Sequence, residues 1–218
     1  MEYFNLHTHQ LQHPEGVTAL VNQYPWEFHE GLPCYSIGIH PWYIDPEQWS
    51  KHLDFMETKM SDPACLAVGE CGLDKRIDLP WDLQVEVFEA QIKLAERYQK
   101  PLVIHCVGAY SELIALKKKH HIKVPVIIHG FSKNTQVAQE LIKAGCYLSF
   151  GKYLLRNPEL KEVFLKVPSN QFFLETDTIE EGIDDVYALA AKYLNLDLIT
   201  LQSQINTTFA AVFPEFRI

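Results

Sequence analysis

Eight short apolar runs, set apart by stretches of helical periodicity, constrain this chain more than any other feature. They are Tyr3–Leu6, Val17–Val21, Tyr35–Ile39, Leu66–Val68, Leu102–Ile104, Val126–Ile128, Tyr147–Phe150 and Phe172–Leu174. Most lack the in–out alternation of a strand with one wet face, so they read as strands buried on both faces, the mark of a parallel sheet. Amphipathic segments lie between most of them. The clearest is Asp82–Tyr98, where Leu83, Val87, Phe88, Ile92, Leu94, Ala95 and Tyr98 form one broad apolar face. Pro46–Met60, Ser111–Lys118, Thr135–Lys143, Pro158–Lys166, Ile179–Leu194 and Leu196–Phe213 complete the helical set. Strands alternating with helices in this number imply an α/β fold closed as a (β/α)8 barrel.

Boundary residues agree with that division. Pro80 and Asp82 suit a helix start, Asn134 is a side-chain cap for the helix from Thr135, and Gly145 provides a left-handed stop after Lys143. The first connection is the exception. Only ten residues, His7 to Gly16, lie between the first two runs, whereas a parallel crossover usually needs a dozen or more. We read it as a crossover that has lost its helix.

Composition narrows the setting. With no linker, repeat or low-complexity tract, the 218 residues read as one domain, 1–218. The net charge of −9 argues against a broad surface that coats nucleic acid, but not against a small basic patch beside a cation site. The five cysteines form no CxxC pair and sit mostly in or near the apolar runs, as reduced thiols do. With no leader-like N-terminus and no segment near the ~20 apolar residues of a membrane span, the expectation is a soluble cytoplasmic protein without a membrane partner.

Polar residues punctuate the apolar runs. His7 and His9 flank Thr8 after the first, and residues two apart on an extended strand project to one side, where two imidazoles can chelate one cation. Glu70 follows the fourth run between Gly69 and Gly72, and its two oxygens could bridge two cations. His105 and His129 follow the fifth and sixth, and Asp177 follows the eighth, able both to bind metal and to take a proton from metal-bound water. Any one of these is more often an ordinary surface or structural residue. Together, at the C-terminal ends of barrel strands, they converge on the face where such barrels do chemistry. Asp74 is read as a turn cap that orients its neighbours, and Glu175 as a partner for a ligating histidine.

The order His7-Thr8-His9, Gly69-Glu70-Cys71-Gly72-Leu73-Asp74, Ile104-His105-Cys106, Ile128-His129-Gly130-Phe131, Ser149-Phe150-Gly151 and Glu175-Thr176-Asp177 resembles the TatD-related metal-dependent deoxyribonucleases of the amidohydrolase superfamily. Gly38-Ile39-His40-Pro41-Trp42 and Asn206-Thr207 match further family segments. The resemblance covers nearly the whole chain and implies a distorted TIM barrel with two divalent cations, Zn²⁺, Mn²⁺ or Mg²⁺. It implies that His7, His9 and Asp177 hold one cation and His105 and His129 the other. Glu70 would bridge both, and Asp177 would act as base. His40 would lie against the substrate phosphate. Lys75, Arg76, Lys133, Lys152 and Arg156 are basic residues in the loops beyond these strands and so are candidate phosphate contacts. The implied activity is an exonuclease-type phosphodiesterase acting on DNA, with no protein partner implied.

Three departures bear on the substrate. Asn5 stands where the family carries an acid, Cys106-Val107-Gly108 replaces an Arg-Asp segment, and Thr178-Ile179-Glu180-Glu181-Gly182 replaces an Ala-Pro segment. They keep open a second reading, hydrolysis of a small amide, ester or phosphomonoester, and a third, a catalytically silent barrel that only binds. Retention of all six ligand types speaks against the third.

Overall fold

The computed structural model of the protein describes residues 3–214 and 216. In chain order it has β1 (Tyr3–Thr8), β2 (Val17–Gln23), β3 (Tyr35–Ile37), a 3₁₀ turn (Pro41–Tyr43), α1 (Trp49–Lys59), β4 (Cys65–Asp74), α2 (Trp81–Tyr98), β5 (Leu102–Val107) and α3 (Tyr110–Lys119). There follow β6 (Val126–Ile128), α4 (Thr135–Lys143), β7 (Cys146–Phe150), α5 (Lys152–Arg156), α6 (Leu160–Phe164), β8 (Phe172–Leu174), α7 (Ile183–Leu194) and α8 (Leu198–Val212). The strands join in chain order in one eight-stranded sheet. By backbone contacts the chain divides into two compact units, Met1–Val21 with Ile128–Ile218, and Asn22–Ile127.

In the first unit β1 and β2 are parallel, with Tyr3 opposite Val17 and Asn5 opposite Ala19. No helix lies between them, so the shortened crossover is real. β7 and β8 pair in parallel, and β8 leads back to β1 through a parallel bridge between Thr8 and Asp177. The Asp177 N–H donates to the His7 carbonyl at 2.9 Å and the His9 N–H to the Asp177 carbonyl at 3.2 Å. The core behind β1 is aromatic: Phe4 is fully buried and packs on Phe173, Phe209 and Phe213 at centroid distances of 5.9, 4.4 and 6.0 Å. From α7, the buried Tyr187 hydroxyl accepts from the Phe4 N–H at 3.2 Å and donates to its carbonyl at 3.0 Å, satisfying backbone polar groups inside the core.

In the second unit β3, β4 and β5 run parallel. All ten residues of β4 are buried, although Glu70 and Asp74 lie among them. Close backbone approach makes this possible. A Cβ on Gly72, whose φ is +139°, would sit 2.0 Å from the His105 carbonyl oxygen, and one on Gly38 would sit 2.5 Å from that of Glu70.

Several boundaries differ from the expected ones. β4 extends from Cys65 to Asp74 rather than ending at Val68, because pairing with β5 continues past the glycines. Glu70 and His105, like His7, therefore lie within strands rather than beyond them. The helix expected over Pro158–Lys166 is α6, shorter at Leu160–Phe164, and a further short helix that the sequence reading did not include, α5, precedes it at Lys152–Arg156. α7 begins at Ile183, four residues late, because Gly182 occupies its cap and Asp185 accepts from the Gly182 N–H at 3.2 Å. Asn134 caps α4 as expected, accepting from the Val137 N–H at 3.1 Å, and Gly145 is left-handed with φ +75°. All five cysteines are buried and none forms a disulfide, and burial pushes the thiols of Cys34 and Cys65 up to about 12, as for inert packing groups. Among the described residues no helix is long and apolar enough to cross a membrane.

Candidate metal centre

The first unit gathers His7, His9 and Asp177. Each offers one nitrogen or oxygen, and these three atoms lie within 4.8 Å of one another. The Asp177 Oδ1 is 3.8 Å from His7 Nε2 and 3.6 Å from His9 Nε2. His7 in β1 and His9 just past its end bring their Nε2 atoms to the same Asp177 oxygen, and the backbone bonds to Asp177 hold the carboxylate opposite them. Asp177 has φ +55°, a left-handed conformation that aspartate tolerates better than most residues.

Asn5 explains how that loop is held. Its Nδ2 donates to the Thr176 hydroxyl at 2.8 Å while its Oδ1 accepts from the Thr176 N–H at 3.0 Å. An amide can do both at once. The departure at position 5 thus serves a supporting contact one residue from Asp177, not a ligand position. His129 lies against His7, with ring centroids 4.4 Å apart. Its Nδ1 is 3.5 Å from Glu175 Oε1, which itself accepts from the Gly130 N–H at 2.6 Å. Glu175 is buried, with its own N–H bonded to the Phe150 carbonyl.

The second unit gathers His40, Glu70 and His105, again with donor atoms within 4.8 Å. Glu70 Oε1 lies 3.1 Å from His40 Nε2 and 3.1 Å from His105 Nδ1. On the far side of the His105 ring, Nε2 lies 3.2 Å from Asp74 Oδ2. A carboxylate accepts only, and the His105 ring meets one at each nitrogen; with a cation on Nδ1, Asp74 would hold the ring's one proton on Nε2. His40 is the reverse: its Nδ1 accepts from the Trp42 N–H at 3.1 Å, which turns Nε2–H toward Glu70. His40 in that tautomer is a donor beside Glu70.

Asp74 is therefore more than a turn cap. Burial opposes its charge. Hydrogen bonds from the Trp42 indole, the Arg76 N–H, His105 and the Arg76 side chain outweigh that and pull its carboxyl down to about 2. Three buried side-chain amides brace the same segment. Asn22 Oδ1 accepts from the Glu70 N–H at 2.7 Å, Gln84 Oε1 from the Asp74 N–H at 3.0 Å and Gln91 Oε1 from the Ile39 N–H at 2.7 Å. Their one signal in the sequence is a glutamine pair, seven residues apart, on the apolar face of α2.

The candidate phosphate contacts are largely engaged by acids. Lys75 pairs with Glu112. Arg76 Nε lies 3.4 Å from Asp74, and Arg156 reaches both oxygens of Glu181 at 3.2 and 3.3 Å. Lys133 is exposed at the start of the α4 loop. The basic run Lys117–His121 is a helix end, with Lys119 and His120 on Glu89 at 2.7 and 2.9 Å. Nitrogen and oxygen donors with no thiolate fit Zn²⁺, Mn²⁺ or Mg²⁺.

Residues 5–194 match the family described as TatD related DNase. A 3′-5′ ssDNA/RNA exonuclease TatD of Citrobacter koseri is 32% identical over 152 residues, 66% of this chain and 57% of the relative. An uncharacterized metal-dependent hydrolase of Bacillus subtilis, YabD, is 33% identical over 147 residues, 65% of this chain and 57% of the relative. The chain thus spans 57% of the length of these curated relatives. The crystal structure of YjjV, a TatD homolog from Escherichia coli, matches 98% of both chains with a TM-score of 0.84 and 20% identity. That likeness, with the chain-order sheet, establishes the distorted (β/α)8 barrel.

Proposed function

The chain belongs to the TatD related DNase family, and from that premise we propose that it is a divalent-metal-dependent phosphodiesterase trimming the ends of single-stranded nucleic acid. The observation that carries this reading is the convergence of His7, His9 and Asp177 donor atoms within 4.8 Å, on backbone that hydrogen bonds hold in place. In this reading His7, His9 and Asp177 would hold one cation, His105 and His129 would hold a second, and Glu70 would serve both. Bound divalent cations supply a water that ionises near neutral pH and offset the charge developing on a phosphodiester.

The protein's own groups do the rest. Asp177 would help hold a cation and would take a proton from the attacking water. Asp74 sets the His105 tautomer. His40 donates from Nε2, to Glu70 or to a substrate oxygen beside it.

The test is release of nucleotides from a single-stranded oligonucleotide with Mg²⁺ or Mn²⁺. Chelation should abolish it, and Asp177→Asn should lower kcat by about a thousandfold, the scale of a lost general base. A second reading, hydrolysis of small phosphomonoesters or esters, draws support from the acids that occupy Lys75 and Arg156. Turnover of those substrates with phosphodiesters left intact would replace the first reading with the second.

A further inference from the structure

The second unit carries an exposed aromatic surface beside its candidate ligands. Trp42 is 54% exposed, Tyr43 50% and Trp26 40%, unusual for rings of this size. They form a continuous group. Tyr24 and Trp26 are stacked at 4.9 Å with planes 7° apart, and Tyr43 meets both edge-on at 5.5 and 5.9 Å. Tyr43 also lies 5.6 Å from the His40 ring, while Trp42 stands perpendicular to His40 at 5.3 Å and 5.8 Å from His105. The Trp42 indole N–H donates to Asp74 at 2.9 Å, which fixes one edge of the ring. Trp42 and Tyr43 belong to the 3₁₀ turn that His40 caps, so the two rings and His40 sit on one short piece of backbone.

We propose that Trp42 and Tyr43, buttressed by Trp26, form a stacking platform for the bases next to the cleaved phosphate of single-stranded nucleic acid. The proposal rests on the phosphodiesterase reading above. Every base presents a π-face, so such a platform grips a single strand without reading its sequence, and it rejects a duplex whose bases are already stacked. Charge points the same way. The chain carries a net charge of −9, and Lys75, Arg76 and Arg156 each lie against an acid. An electrostatic grip on the phosphates is therefore weak, and stacking supplies the affinity that the cations do not.

The test compares a thymidine decamer with an abasic decamer of the same phosphate backbone, by fluorescence anisotropy with Ca²⁺ present. The base-bearing strand should bind about tenfold tighter or more, the scale of one lost stacking contact. Tyr43→Ala should lower affinity for the thymidine decamer about tenfold, leave the abasic decamer unaffected and raise KM while keeping kcat; Tyr43→Phe should restore both. Equal binding of the two decamers by the wild-type protein overturns the proposal whether or not the variant folds, as does failure to bind either. If base preference holds while no phosphodiester is cleaved with any divalent cation, the catalytic reading fails and the platform stands.

Discussion

His105 Nε2 lies 3.2 Å from Asp74 Oδ2, across the ring from the 3.1 Å approach of its Nδ1 to Glu70. With a buried carboxylate at each ring nitrogen, Asp74 would hold the His105 proton on Nε2 when a cation takes Nδ1 beside Glu70. Asp74 stays ionised through the working pH range because four hydrogen bonds hold its carboxyl at about 2 against the effect of burial. Asp74→Asn keeps the shape but offers an amide that can present N–H as well as oxygen, so the imidazole loses its single preferred tautomer. Partners of this kind are worth about 10–100-fold in metal affinity or activity. Isothermal titration with Mn²⁺ should show that loss with circular dichroism unchanged; unaltered affinity would remove Asp74 from the site.

Asn5 makes a related prediction at the other ligand group. It satisfies both the N–H and the hydroxyl of Thr176, one residue before Asp177. Asn5→Leu leaves that buried N–H without its partner, a cost of about 1–3 kcal/mol. Chemical denaturation should report that loss, and cation affinity should fall with it because the Asp177 loop is no longer pinned. Asn5→Asp keeps an acceptor for the N–H and lets the threonine hydroxyl turn round to donate, so it should cost less than Asn5→Leu.

Much of this is legible in the sequence, and the reasons are physical. Uniformly apolar runs such as Val126–Ile128 and Phe172–Leu174 coincide with β6 and β8 because strands buried on both faces leave an unbroken apolar signature. The extent of β4 was hidden because Gly69, Glu70 and Gly72 break that signature, while close approach to β5 holds the strand together. His7, His9 and Asp177 were visible as residues following such runs. The tautomer control by Asp74, and the bracing by Asn22, Gln84 and Gln91, were not, since each depends on a side chain from a distant segment. Trp42 was visible only as part of a motif, for exposure and orientation are properties of the folded turn.

Glu89 tests the assignment of the basic run to structure. Hydrogen bonds from Lys119 and His120 pull its carboxyl below the usual glutamate value. A group whose folded pKa is lowered stabilises the protein above its unfolded pKa, about 4.3–4.5, and that contribution disappears as pH falls through the folded value. Glu89→Gln should therefore be less stable than the wild type near pH 7, by at most about 1 kcal/mol given the exposure of Lys119. The gap between the two should close on acidification below about pH 4.5. Parallel curves of Tm against pH would show that Glu89 contributes nothing through its charge, and catalytic turnover should be indifferent to the change.

The Arg156–Glu181 pair makes an opposite kind of prediction, a gain. Lys152, Arg156, Thr178, Ile179, Glu180 and Glu181 line an open cavity of about 570 Å³ in the loop that follows Asp177. Arg156 is half exposed yet turned onto both oxygens of Glu181. Glu181→Gln removes the competing charge and leaves the guanidinium able to take a phosphate. Each added phosphate contact on a single strand steepens the dependence of log affinity on log salt by about 0.7. The variant should therefore bind a single-stranded decamer more tightly at low salt, with a slope steeper by that amount, whereas Arg156→Ala in the wild-type background should change little. An unchanged slope in Glu181→Gln would place Arg156 outside the path of the strand and leave its ion pair a feature of the loop alone.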